Sequence, residues 1–233
     1  MLIERKIILP AENFVGVVSI DSPDTRKRED GFFVDHEDNI SIVSLIPNLN
    51  NCNFVKLEEA LLKKPYKKET TGEVYYFDQG GLSKKYISSV FLVRMKKPYN
   101  VGSIEVGTAM LTNTYFYSSI NKGDWHNHQI ESIKKYATNL SDGKNLTSEE
   151  ITNLLSDVLN NACEDTFLKN KIPFMGRHHK DFLVCEGLCA VTGPLRKAPS
   201  AINSLQLAKF LSEGKILFSE DELYKLIGKQ QAV

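Results

Sequence analysis

The chain has 233 residues, of which 42% are hydrophobic and 25% charged, a size and composition that bury a real core and exclude a disordered protein. Lys plus Arg and Asp plus Glu both number 29, so no global positive field points to nucleic acid, and any RNA binding must rest on a local basic cleft. No stretch approaches the ~20 apolar residues of a membrane span, and the charged opening Met1-Leu2-Ile3-Glu4-Arg5-Lys6 lacks the apolar run of a signal peptide, so the expectation is a cytoplasmic protein.

Taken in chain order, Phe14-Val15-Gly16-Val17-Val18 precedes a polar loop from Asp21 to Asp30. Gly31-Phe32-Phe33-Val34 and Ile40 to Leu45 follow, a pattern of strand, loop, strand, strand. Residues 54 to 64 have helical spacing at Phe54, Leu57 and Leu61, whereas 73 to 77, 88 to 95 and 104 to 117 read as strands. From about Gln129 the pattern turns helical. Asp142-Gly143 marks a turn, and Thr147-Ser148-Glu149-Glu150 opens a helix through Ile151, Leu155 and Leu159 that runs to about Lys169, before Pro173. Ala198 to Ser212 predicts another helix with Pro199 in its first turn, and Glu220 to Ile227 a short last one. The expected architecture is one α/β (α+β) domain over 1–233, sheet-rich over 1–120 and helix-rich over 121–233.

Cys52, Cys163, Cys185 and Cys189 lack the paired short spacings of a zinc site and read as reduced, mostly buried thiols, although a helix would place Cys185 and Cys189 on one face. Trp125-His126-Asn127-His128 sets two histidines at i and i+2 with no evident third ligand, and reads as a surface loop or partner contact. Basic clusters occur at Lys63 to Lys68, Lys96-Lys97, Lys134-Lys135, Lys169 with Lys171, and Arg177 to Lys180. Taken alone, each reads first as a solvated face.

Asp21, Asp24, Glu29 and Asp30 lie within ten residues of one another, and a loop leaving the end of a strand brings several carboxylates within reach of one ion. Magnesium takes oxygen ligands in a tight octahedral shell and supplies the activated water and charge neutralisation that phosphodiester cleavage needs. The competing reading of the same cluster is an ordinary solvated acidic loop.

Two segments carry a resemblance. Thr192-Gly193-Pro194-Leu195-Arg196-Lys197 with Ile202-Asn203 resembles the active-site arginine segment of the RNB domain of the ribonuclease II and ribonuclease R family. Val18 to Asp30 is similar to that family's metal-binding pattern, an Asp followed after five residues by Asp-x-Asp-Asp. On this match Asp21 and Asp30 take the first and fourth aspartate positions, Lys27 the second and Glu29 the third. The resemblance implies that Asp21, Glu29 and Asp30 hold Mg2+ and that Arg196 contacts the phosphates, so Asp21, Glu29, Asp30 and Arg196 form the catalytic set. Lys27 reads as an ammonium standing where an ion's charge would be, or as a solvent-facing residue.

Departures accompany the match. Gly193 replaces a family serine, Ala198 and Ser200 stand where the family has Tyr and Asp, and Leu154 and Leu155 replace a glutamate pair. Between these blocks, Asn160-Asn161-Ala162-Cys163 and Ile172 to His179 resemble the helix and strand that the family places beside its RNA channel, with Asn161, Arg177 and His179 on matching positions. Tyr117 falls where the family has a tyrosine that stacks on terminal bases, though core packing is the plainer reading of one tyrosine.

The resemblance covers about residues 14 to 210 and implies a shortened RNB-like domain without cold-shock or S1 barrels. Its mixed sheet and helices would surround an RNA-sized channel, with Lys27, Tyr117, Arg177, His179, Arg196 and Lys197 on the RNA. The implied activity is a weakened, magnesium-dependent 3′-to-5′ exoribonuclease acting on single-stranded RNA or a tRNA 3′ end. The alternatives are a non-cutting RNA or tRNA binder, an enzyme acting on a group carried at an RNA 3′ end such as an aminoacyl ester, and a partner-binding scaffold. If Lys27 replaces an ion, Lys27→Asp with Glu29→Asp raises magnesium-dependent degradation of a 3′-labelled oligonucleotide, at ~1.4 kcal/mol of barrier per tenfold in rate.

Overall fold

The structure is a computed structural model that describes residues 7, 13–48, 54–62, 80–96, 100–123, 127–178 and 181–228. Five strands, β1 (Phe14–Asp21), β2 (Asp30–Val34), β3 (Ile40–Leu45), β4 (Ser88–Lys96) and β5 (Asn100–Phe116), close into a barrel in that order. Neighbours pair antiparallel except β1 and β5, whose parallel pairing closes the ring. Helix α1 (Phe54–Leu62) lies between β3 and β4 in sequence. After the barrel come α2 (Tyr117–Asn121), α3 (His128–Leu140) and α4 (Ser148–Lys169), then the strands β6 (Met175–His178), β7 (Asp181–Val184) and β8 (Leu188–Cys189), then α5 (Ala198–Glu213) and α6 (Glu220–Leu226). The expected α/β class with a mixed sheet is the observed one. The second half differs from expectation in carrying its own three-stranded sheet, ordered β7-β6-β8.

The barrel serves two cores because the strand period is two. Val18, Ile20, Phe32, Ile42, Phe91 and Val93 join residues of α3 and α4 in the largest apolar cluster, whereas Val15, Val17, Val43, Leu45, Val90 and Leu92 gather in a second. Val17 and Val18 are adjacent yet belong to different cores, and the β1–β5 register shifts between them. The extra residue is Thr112 of β5, since Val17 pairs with Leu111 and Val18 with Asn113, while β1 itself alternates without interruption.

Local signals explain most helices. Thr147 caps α4 with a complete capping box to Glu150, as its sequence suggests, and Ser219 does the same for α6 with Glu222. The strand expected over 73–77 and the Lys63 to Lys68 cluster lie outside the described residues, as do Cys52, Trp125 and His126. Asn127 caps α3 and His128 begins it, pairing with Asp38 at 2.9 Å, so this end of the histidine motif is a helix start and not the loop expected. Cys185 and Cys189 share no helix. Cys185 is exposed at a turn after β7, while Cys189 is buried in β8. No helix among the described residues is long and apolar enough to cross a membrane.

Helix α5 is the central post. Ten of its residues from Ala198 to Ala208 are buried, and its polar side chains serve the backbone of other segments. Asn203 accepts from Met175 N at 2.8 Å and donates to Met175 O at 2.8 Å and to Ala190 O at 3.0 Å. Gln206 accepts from Leu217 N and Phe218 N and donates to Pro173 O and Phe218 O. These bonds satisfy buried peptide groups that no strand or helix serves. Asn203→Leu strands three such groups at ~1 kcal/mol or more each. The variant should lose about 3 kcal/mol of stability by urea denaturation.

Candidate nucleic-acid cleft

The loop from Ser22 to Glu29 leaves the end of β1 and returns as β2. Its last residues are tied down by backbone bonds from Leu82 N to Arg28 O at 2.8 Å and from Leu45 N to Glu29 O at 2.7 Å. Facing it is the turn before α5, where Arg196 N and Lys197 N both donate to Gly193 O. Gly193 has φ +68, a conformation that L side chains rarely adopt, and Lys197 folds over it so that a Cβ there would meet Lys197 Cε at 3.1 Å. A serine at this position would meet both obstacles, which accounts for the glycine.

Carboxylates join the loop to the turn. Glu29 Oε1 accepts from Leu195 N at 2.7 Å, and Glu29 Oε2 accepts from Arg196 Nε at 2.7 Å. The Glu29 side chain is 2% exposed and that of Arg196 44%, so the carboxylate is sealed while the guanidinium opens to solvent. Asp30 accepts from Ser44 Oγ at 2.7 Å and from the Gly193 backbone N–H. Asp21 is hydrogen-bonded to Ser19, and its Oδ2 lies 3.4 Å from Arg28 Nε, a charge pair in which neither atom completes a hydrogen bond.

Burial pushes the pKa of all three carboxyls up, because a charged oxygen loses water in the closed loop. Opposing cations pull them back: chiefly Arg28 at Asp21, Arg196 at Glu29, and Lys197 with Arg196 at Asp30. Lys197 in turn is drawn down by loss of water around its ammonium and by the Arg196 charge.

Between loop, turn and helix α4 lies a cleft of about 830 Å³. The loop contributes Asp21, Asp24, Arg26 and Lys27, with Glu29 and Asp30 at its base. The turn contributes Thr192, Arg196 and Lys197, and the far wall is the polar face of α4: Thr152, Asn153, Ser156, Asp157 and Asn160. Tyr117 closes one end, packed against the core, with its hydroxyl bonded to Thr152 and within electrostatic reach of Asp21 and Arg196. Cations and carboxylates both line the cleft, so its field is mixed and not uniformly positive.

Of the residues singled out in the sequence, Asp21, Lys27, Glu29, Asp30, Tyr117, Arg196 and Lys197 all line this cleft. Arg177, exposed on β6, is close enough to influence the Lys197 charge but is not among the lining residues. His179 lies outside the described residues. Asn161 is exposed, and Asn160 makes the bonds instead, accepting from Val191 N and Thr192 N at 2.9 and 3.3 Å and so fixing the approach to the turn. Asp21 pairs with Arg28. Ala198 and Ser200 are buried in α5 and are not among the residues lining the cleft. The polar wall of α4 was missed, although Thr152, Ser156 and Asn160 recur at the i+4 spacing that marks one helix face.

Asp21, Glu29 and Asp30 therefore converge, but they do not fit the magnesium that the resemblance implies. Among the described residues no group of three His, Cys, Asp or Glu side chains is arranged to hold a metal ion. Both oxygens of Glu29 already accept from N–H donors, and one of those donors is a guanidinium that would repel a dication.

No family model matches the chain, and no curated protein matches it. Solved structures do. An active-site mutant of the Dss1 exoribonuclease from Candida glabrata superposes with a TM-score of 0.63 at 15% identity, over 93% of this chain and 42% of that one. RNase R from Mycoplasma genitalium in complex with double-stranded RNA gives a TM-score of 0.49 at 10% identity, over 70% of this chain and 39% of that one, too loose to add to the comparison. The first likeness shows the fold, which is RNB-like, and this chain spans less than half the length of either structure.

Glu29→Asp withdraws the oxygens by one methylene from Leu195 and Arg196. An orphaned buried N–H costs about 1 to 3 kcal/mol, so the variant should unfold at correspondingly lower urea without gaining metal-dependent cleavage. A pH series adds a sign. The folded-state pKa of Glu29 is raised, so its contribution to stability falls as pH climbs from the ordinary carboxylate range through the raised value. Glu29→Gln should show a shallower decline than the parent over that window.

Proposed function

We propose that this protein binds the 3′ end of single-stranded RNA in the cleft, as a shortened RNB-like domain whose metal-dependent exoribonuclease chemistry has been lost. The observation that carries the reading is the placement of Arg26, Lys27, Arg196 and Lys197 on two facing segments of one cleft, with Tyr117 at its end, on a fold similar to that of an exoribonuclease. Guanidinium and ammonium groups suit phosphate oxygens, and an aromatic face stacks on any base.

The chemistry follows from the parts. Arg196, held at Nε by Glu29, can turn only its outer edge toward a phosphate, which fixes where the backbone of a bound strand lies. Lys197, folded over Gly193, supplies a second charge beside it. Across the cleft the α4 hydroxyl and amide groups offer neutral hydrogen bonds suited to ribose and base edges. Cleavage would also need a supporting shell around the scissile phosphate. At the two family positions that would furnish one, this chain has Ala198 and Ser200, turned into the core of α5.

Binding should be weak, because Asp24 and Asp157 also line the cleft and only a few phosphates can be contacted. Fluorescence anisotropy with a short single-stranded RNA bearing a free 3′ hydroxyl, at low and moderate salt, should show salt-sensitive affinity with little sequence preference. Lys197→Ala should weaken it and reduce the log–log salt slope by about 0.7, the value for one phosphate contact on a single strand. Affinity no better than for an unrelated polyanion, or no binding, overturns the reading in favour of a partner-binding scaffold.

A further inference from the structure

We infer that Arg28 and Arg196 stand in the electrostatic place of a divalent ion, making the cleft a metal-independent anion site in which Glu29 is a positioning residue for Arg196. The part concerning RNA rests on the function proposed above; the part concerning metal does not.

Three carboxylates converge where the loop meets the turn, and each already faces a cation or hydrogen-bond donors of the protein. Arg28 lies against Asp21, Arg196 and the Leu195 N–H against Glu29, and Ser44 and the Gly193 N–H against Asp30. A hard cation such as magnesium needs several oxygens converging at ~2.0 to 2.1 Å with their lone pairs unspent. Here both Glu29 oxygens and Asp30 accept from N–H and O–H groups, and the guanidinium ions beside Glu29 and Asp21 carry a charge that cannot be removed near neutral pH.

The length of Glu29 is what makes this arrangement possible. Its two oxygens reach a backbone N–H and a guanidinium at the same time, 2.7 Å from each. With Nε engaged, the Arg196 side chain is fixed in direction while remaining 44% exposed, so its charge is presented to the cleft at little further entropic cost. A bound metal would present positive charge to a phosphate through its own open coordination sites. In this protein a preoriented guanidinium does so, and the anion needs no ion to bridge it to the acidic loop.

The test is a manganese titration of the full-length protein followed by electron paramagnetic resonance, together with RNA binding in chelator and in magnesium at matched ionic strength. The parent should show no stoichiometric manganese site with a dissociation constant below about 1 mM. Arg196→Met, a change at a half-exposed side chain, releases Glu29 Oε2 and should gain manganese affinity at least tenfold; Arg28→Met, which releases Asp21, should do the same if the first variant folds poorly. RNA affinity of the parent should be equal in both buffers. Glu29→Gln should weaken RNA binding several-fold while far-ultraviolet circular dichroism stays unchanged, and Glu29→Asp should not rescue it. Stoichiometric manganese uptake by the parent that Glu29→Gln abolishes overturns the inference, as do variants no more avid for manganese than the parent, or RNA binding lost on chelation. Absence of RNA binding in both buffers overturns the RNA reading alone, and the manganese titration still decides the inference.

Discussion

Glu29 reaches across 166 positions of sequence to the Leu195 N–H and 167 to the Arg196 guanidinium, and with its neighbour Asp30 it fastens the turn before α5 to the mouth of the barrel. The bonds are short and the carboxylate is sealed from water, so breaking one leaves a buried charge or donor without a partner. That penalty makes the junction specific. The β1–β2 loop and the turn can adopt one relative position, and the cleft exists because they do.

Other features serve this junction. Alternation along β1 sends Val15 and Val17 to one core and Val18 and Ile20 to another before the strand delivers Asp21 to the loop. Leu195 is fully buried among the barrel residues Val15, Val17, Val43 and Leu45, so the turn is anchored by apolar contact as well as by Glu29. Behind it, α5 holds β6 and the 190–191 segment through Asn203 and Ser204, while Asn160 of α4 holds Val191 and Thr192. The turn is thereby braced from three directions, as a site must be if it is to present charge in a fixed geometry.

The same bracing decides the chemistry. In a carboxylate cage for magnesium, oxygens must be left without other partners and pointed at one centre. In this protein the oxygens of Glu29 and Asp30 are spent on a guanidinium, a hydroxyl and backbone N–H groups. Burial raises the pKa of all three acids, and the adjacent cations offset part of that rise. Toward the cleft the protein presents the half-exposed Arg196, Lys197, Lys27 and the polar wall of α4.

Much of the local structure and part of the cleft are legible in the sequence. Apolar runs between turn signals mark β1 to β4, capping residues mark α4, and the two motif-like segments name Asp21, Glu29, Asp30 and Arg196, which the fold brings to one cleft. The ring closure by a parallel β1–β5 pair, the extra residue Thr112 that shifts their register, and the partner of each carboxylate come from the tertiary structure. Asn160 and Asn161 illustrate the limit: one residue along a helix is a rotation of about 100°, so one asparagine grips the Val191 and Thr192 backbone and the next faces solvent. Whether an acid in a loop holds an ion or an arginine depends on which donors the rest of the chain brings within about 3 Å of it. Here those donors come from more than 160 residues away, a distance over which sequence spacing carries no geometry.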